Sequence, residues 1–198
     1  MSSNSTGKNI GKAFEVVYKT YENVQKLLSF LKSQSEEKGE YVCCSEKILC
    51  WSSDQSIWGW AYHSFILVFQ NAKNTELENG WRDGSLYIAE INLVQDDEPL
   101  FNIARFDYAD VENWSSDPIT KGNHWIFNHP LHDTGKLVSY NVSEDGYDYD
   151  GIVVNEEKAD KTYWGIRRVV GTSFPLTDIT AENAYEKVFG GFDELAGK

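Results

Sequence analysis

Between residues 11 and 33 the apolar side chains Phe14, Val17, Tyr21, Val24, Leu28 and Leu31 recur at steps of three and four. That period lays one apolar stripe along an α-helix. Glu15 and Lys19, then Glu22 and Lys26, stand four apart with the acid first, the order that helps a helix most. Gly39 supplies a stop. About 24 residues of helix would run roughly 36 Å, enough to cross a sheet. The stripe is expected to face the core, and it also suits a seam through which two copies form a homodimer. Residues 1–9 are expected to be a flexible lead-in.

Beyond Gly39 the period shortens to two. Residues 40–51 read as two short strands, 58–72 as a longer one, and 85–94 as another after the turn Arg82-Asp83-Gly84. Residues 101–109 form a further run. Residues 136–154 read as a hairpin about Asp145-Gly146, because Asp-Gly supplies the positive φ such turns need. Residues 162–170 give the last strand. A helix over 180–189 follows, capped by Asp178 or Thr180 and stopped by Gly190-Gly191. The acid-rich stretches 95–98 and 156–160 read as loops. These elements predict an α+β fold over residues 1–198 as a single domain: a curved, mainly antiparallel sheet of about six to eight strands packed on a long N-terminal and a short C-terminal helix.

Composition adds two constraints. Aromatic residues make up 14% of the 198 positions, with seven Trp, which favours pleated surfaces and broad contact faces. The net charge is −13, from 31 acids against 18 Lys plus Arg. Such a field repels phosphate backbones and anionic lipids, so nucleic acid and membrane surfaces are not expected partners; a basic protein is. No apolar run reaches the roughly 20 residues of a membrane span, and no signal-like apolar segment opens the chain, so a cytoplasmic location is expected. Cys43, Cys44 and Cys50 are odd in number and read as reduced, small buried groups.

Candidate chemistry concentrates in residues 123–135, NHWIFNHPLHDTG, which hold three of the four histidines. Read as a strand, the segment sends His124 and His129 to opposite faces. Read as a helix, it is interrupted by Pro130. His129 and His132 facing each other across a turn, with Asp133 beside them, would make half a zinc site, with a third ligand required from His63, Cys50 or a carboxylate. Asp133-Thr134-Gly135 matches the aspartic-protease motif in one copy only, whereas that chemistry needs two carboxylates. Asp83 with Glu90-Ile91-Asn92 matches part of a nuclease layout but lacks its lysine. Trp51, Trp58 and Trp60, with Trp164 and Arg167, are candidates for a binding surface. No P-loop, dinucleotide fingerprint or nucleophile elbow occurs. The expected function is therefore non-catalytic binding of a basic partner, in the manner of an inhibitor or immunity protein. Two other readings are a zinc-dependent hydrolase built on His129, His132 and Asp133, and a small-ligand protein with a Trp-lined pocket.

Overall fold

A computed structural model describes residues 3–198 except 56, 95–97 and 135; for residues 3–5 and 58 it describes the backbone alone. Strands β1 (Tyr41–Cys43), β2 (Leu49–Cys50), β3 (Ser64–Asn71), β4 (Leu86–Asn92), β5 (Leu100–Tyr108), β6 (Val138–Val142), β7 (Asp148–Val153) and β8 (Ile166–Pro175) form one antiparallel sheet. Its spatial order is β1-β3-β4-β5-β8-β7-β6, with β2 also paired to β3. Helix α1 (Ser3–Lys38) and the C-terminal helix α4 (Gly191–Ala196) cover one face, as the sequence pattern predicts. Two short helices, α2 (His124–Leu131) and α3 (Glu156–Thr162), lie on the other.

Cover on both faces explains why the central strands read as almost unbroken apolar runs. Along β3, Ile66 and Val68 enter the core under α2, while Phe65, Leu67 and Phe69 enter the core under α1. β4 and β5 divide likewise: Ile88 and Phe106 lie on the α2 side, Ile91 and Phe101 on the α1 side. Antiparallel sheets more often leave one face wet. Here Ser64, Gln70, Glu90, Asn92 and Asn102 are buried polar interruptions in those runs.

Four local expectations change. The acidic stretch 156–160 is helical: Asn155 caps α3, its side chain accepting from the Lys158 N–H at 2.9 Å, and Glu156 and Glu157 occupy the first turn, where the helix dipole favours them. β8 starts at Ile166, later than the pattern suggests, because Trp164 and Gly165 take positive φ of 57° and 78°. Gly190-Gly191 does not stop the last helix. A π-helical turn, Glu186–Gly190, runs straight into α4, and a Cβ on Gly191 would lie 2.3 Å from Ile103 Cδ1. That glycine serves close approach to β5. Finally, α1 is 36 residues long and begins at Ser3. Val24, Leu28 and Leu31 are buried against the sheet, whereas residues 6–19 are all exposed. Among the described residues no helix is long and apolar enough to cross a membrane.

Candidate functional sites: a buried histidine–glutamate network and a tryptophan-floored groove

The histidine-rich segment is a helix after all. A 3-10 turn, Lys121–Asn123, closed by Thr120 N and Oγ1 donating to Asn123 Oδ1, leads directly into α2. Pro130 sits one residue before the end of α2, so its missing N–H forfeits a single bond of the last turn, and the Tyr140 hydroxyl donates to the Pro130 carbonyl. Helical spacing then aligns His124, Asn128 and the C-capping His132 on the face toward the sheet. His129 falls on another face, where its Nδ1 lies 3.2 Å from the Tyr163 hydroxyl and its ring packs edge-on to Trp125.

Opposite that helical face the sheet presents Ser64 of β3, Glu90 of β4 and Asn102 of β5. Glu90 is fully buried and meets four side chains. Its Oε1 accepts from Ser64 Oγ at 2.6 Å and Asn128 Nδ2 at 3.1 Å. Its Oε2 accepts from Asn102 Nδ2 at 2.8 Å and faces His132 Nε2 at 2.7 Å. Since the single hydroxyl proton of Ser64 goes to Glu90, His124 Nε2, 2.8 Å from Ser64 Oγ, must be the donor in that contact. Burial alone would push the Glu90 carboxyl up. The positive field and hydrogen bond of His132, with the bonds from Ser64 and Asn102, outweigh it and hold the group down at about 2. Burial drives His124 down to about 4, against the pull of Glu90, so it is neutral at pH 7.

The lowered His124 value makes a directional prediction. Between about 6.5 and about 4 the unfolded chain binds a proton that the folded chain refuses, so stability is full above pH 6.5 and declines as pH falls toward 4. The Glu90 contribution, present above about 4.5, follows only as pH falls toward 2. A loss on the order of 3 kcal/mol is expected across the His124 window. Denaturant titrations from pH 7 to pH 4 measure it, and His124→Gln should flatten the slope; an unchanged slope would refute the assignment.

His132 and Asp133 border a cavity of about 240 Å³ with Asn102, Tyr140, Tyr149 and Ser173. Asp133 takes a positive φ of 48° and accepts from the Val138 N–H at 3.0 Å. The buried Tyr149 hydroxyl has no hydrogen-bond partner among the described residues. His129 lies outside this cavity's lining, so the trio His129, His132 and Asp133 is not gathered around one point. Nor do the suggested third ligands join it: the ring of His63 packs against Trp51, and Cys50 lines a separate cleft beside α1. Among the described residues no group of three or more His, Cys, Asp or Glu side chains is placed to hold a metal ion.

A second site opens on the same side of the sheet. Trp81 meets Trp114 edge-to-face and Trp114 meets Trp164 at a tilt of 59°, with centroids 5.1 Å apart in both pairs, and Phe127 packs edge-on to Trp164. Trp81 Nε1 donates to the Ser115 carbonyl at 2.9 Å and Trp114 Nε1 to the Trp164 carbonyl at 3.1 Å, so two of the indoles are locked in orientation. These rings line a groove of about 1030 Å³ together with Asp110, Asp117, Asp160 and Arg167. Arg167 bonds Asp160 at 2.7 Å and lies 3.7 Å from Glu156. The left-handed backbone of Trp164 is costly for a bulky side chain, and strain of this kind gathers at binding sites.

Comparison of the chain with protein-family models, with curated proteins and with solved structures finds no match. The residues themselves therefore carry the reading.

Of the sequence-predicted surface, Trp164 and Arg167 line the groove. Trp51 and Trp60 are elsewhere, 44% and 72% exposed, on the loop before β3, and the side chain of Trp58 lies outside the described residues. Sequence reasoning missed Trp81 and Trp114, which are far apart in the chain and carry no local motif. It placed Glu90 only within a partial nuclease layout and not in a buried network, although there was a signal: by strand parity Glu90 shares the inward face of Leu86 and Ile88.

Proposed function

We propose that the protein is a recognition module that binds a basic segment of a partner protein in the Trp81–Trp114–Trp164 groove, without catalysis. One observation carries this reading: three packed indoles, Trp81, Trp114 and Trp164, line one groove together with the carboxylates of Asp110, Asp117 and Asp160. Arg167 engages Asp160 and Glu156, leaving Asp110 and Asp117 to set the sign of the entrance. Indole faces attract guanidinium and ammonium groups, and desolvation by the apolar floor strengthens that attraction. The net charge of −13 steers a basic chain toward the protein at long range. A cavity of this size takes a side chain together with its neighbours. The unpaired thiols suit a reducing compartment, and we place the protein in the cytoplasm on that ground.

The test uses two synthetic peptides of equal length, one alternating Arg with Gly and the other Glu with Gly, followed by intrinsic Trp fluorescence. The Arg peptide should quench and bind, with affinity falling steeply as salt is raised. The double variant Asp110→Asn, Asp117→Asn should weaken binding roughly tenfold, since each rim charge contributes on the order of 0.5–1 kcal/mol. Equal binding of both peptides, or an unaffected double variant, would remove the groove from consideration.

A further inference from the structure

The apolar stripe of α1 does not end where the sheet ends. Ile10, Phe14, Val17, Tyr21, Val24, Leu28 and Leu31 alternate steps of four and three without a break, the a/d pattern of a two-stranded coiled coil. The body covers it from Tyr21 onward, where the Tyr21 ring packs edge-on to Phe65 and its hydroxyl donates to the Tyr62 carbonyl at 2.8 Å; Ile10 and Phe14 are 55% and 59% exposed, and Tyr18, beside the seam, is 69% exposed.

This arm is also poorly suited to stand alone. A helical stretch of about 20 residues without packing is marginal in water. Gly7 and Gly11 weaken it, as do the β-branched Val16, Val17 and Thr20. Its ion pairs, Glu15–Lys19 and Glu22–Lys26, lie on the outer face and contribute little.

Charge identifies the occupant. The positions flanking the seam, Gly11, Ala13, Tyr18, Thr20 and Gln25, are all uncharged, so a copy of the same helix meets no like charge there. Residues 6–26 carry four lysines against two glutamates, whereas the whole chain carries −13. A parallel pair would set two acidic bodies side by side. An antiparallel pair sets them at opposite ends and brings Lys8 and Lys12 of each copy toward the acidic body of the other.

We propose that the N-terminal half of α1 pairs antiparallel with the same segment of a second copy, with Phe14 of one opposite Val17 of the other and Ile10 opposite Tyr21. Ile10, Phe14 and Val17 are partly exposed and Tyr21 offers only its uncovered edge, so the pair buries below about 1,000 Å² in total. That is the low end for a specific interface, which makes the association reversible and concentration-dependent.

Sedimentation equilibrium of the full chain, from about 1 to about 100 µM, should show a monomer–dimer equilibrium. Phe14→Glu with Val17→Glu should raise the dissociation constant at least tenfold. Both side chains are solvent-exposed, so near-ultraviolet circular dichroism of the body should not change and will separate dissociation from unfolding. For direction, Ile10→Cys and Tyr21→Cys chains, mixed and oxidised, should cross-link to each other above the background of the wild-type thiols. Self-linking of Ile10→Cys would overturn the antiparallel arrangement. A chain that stays monomeric at the highest concentration, or a dimer indifferent to the double Glu variant, would overturn the pairing and assign the seam to a different protein.

Discussion

Replacing Glu90 by alanine is expected to remove about 3–5 kcal/mol of folding stability, the cost of taking one partner from a buried charged pair. The carboxylate is fully buried, and each of its oxygens serves two partners. Without it, the hydroxyl of Ser64 and the side-chain donors of Asn102, Asn128 and His132 lose their common acceptor beneath α2, where bulk water does not replace it. Glu90→Gln keeps the shape but turns one acceptor into a donor facing donors, so an intermediate loss of about 1–3 kcal/mol is expected. Urea unfolding measures both, with an unchanged m-value showing that the variants alter stability alone. The Glu90→Ala and His132→Ala losses should be strongly non-additive, because the two groups share one contact. A Glu90→Ala loss below about 1 kcal/mol would mean that the network contributes no more than an ordinary polar surface group.

The second large effect is expected at Gly171 in β8. A Cβ there would lie 2.4 Å from Cζ and from the hydroxyl of Tyr149, and 2.6 Å from the Ile103 carbonyl oxygen. The ring is held edge-on by Tyr140 at a centroid distance of 5.6 Å, and the carbonyl belongs to β5 itself. Neither can yield without disturbing a neighbouring strand. Gly171→Ala should therefore cost about 2–4 kcal/mol, somewhat above the usual range for overpacking. Adding Tyr149→Leu should restore part of that loss and leave the part due to Ile103. Calorimetric or denaturant unfolding of the single and double variants decides the matter; a neutral Gly171→Ala would show that β5 and β8 separate easily.

The strand-rich body and the first helix were legible because their periods are regular and undisturbed. What escaped was set by single residues. Pro130 argued against a helix across 124–131, yet in the last turn it removes only one bond, and this hid the common face of His124, Asn128 and His132. The four acid and lysine positions within 156–160 looked like a solvated run, although the Asn155 cap and the first-turn glutamates mark a helix start. Gly190-Gly191 looked like a stop because sequence cannot show that Ile103 comes close to it. The groove was half visible: Trp164 and Arg167 were singled out, but Trp81 and Trp114 join them only through the fold. Glu90 entered the sequence reading only through the nuclease layout; its phase with the inward side chains of its strand is the signal for burial.

Strand order bears on how the chain assembles. β3, β4 and β5 are sequence neighbours paired in turn, and so are β6, β7 and β8; the two meanders meet only where β5 lies against β8. Each meander closes through connections within itself, whereas pairing β5 with β8 joins strands that lie far apart in the chain, a closure whose penalty grows slowly with length. The junction is therefore expected to set the pace of folding. Gly171, pairing with Ala104 at its middle, sits where an obstruction should slow refolding more than it hastens unfolding.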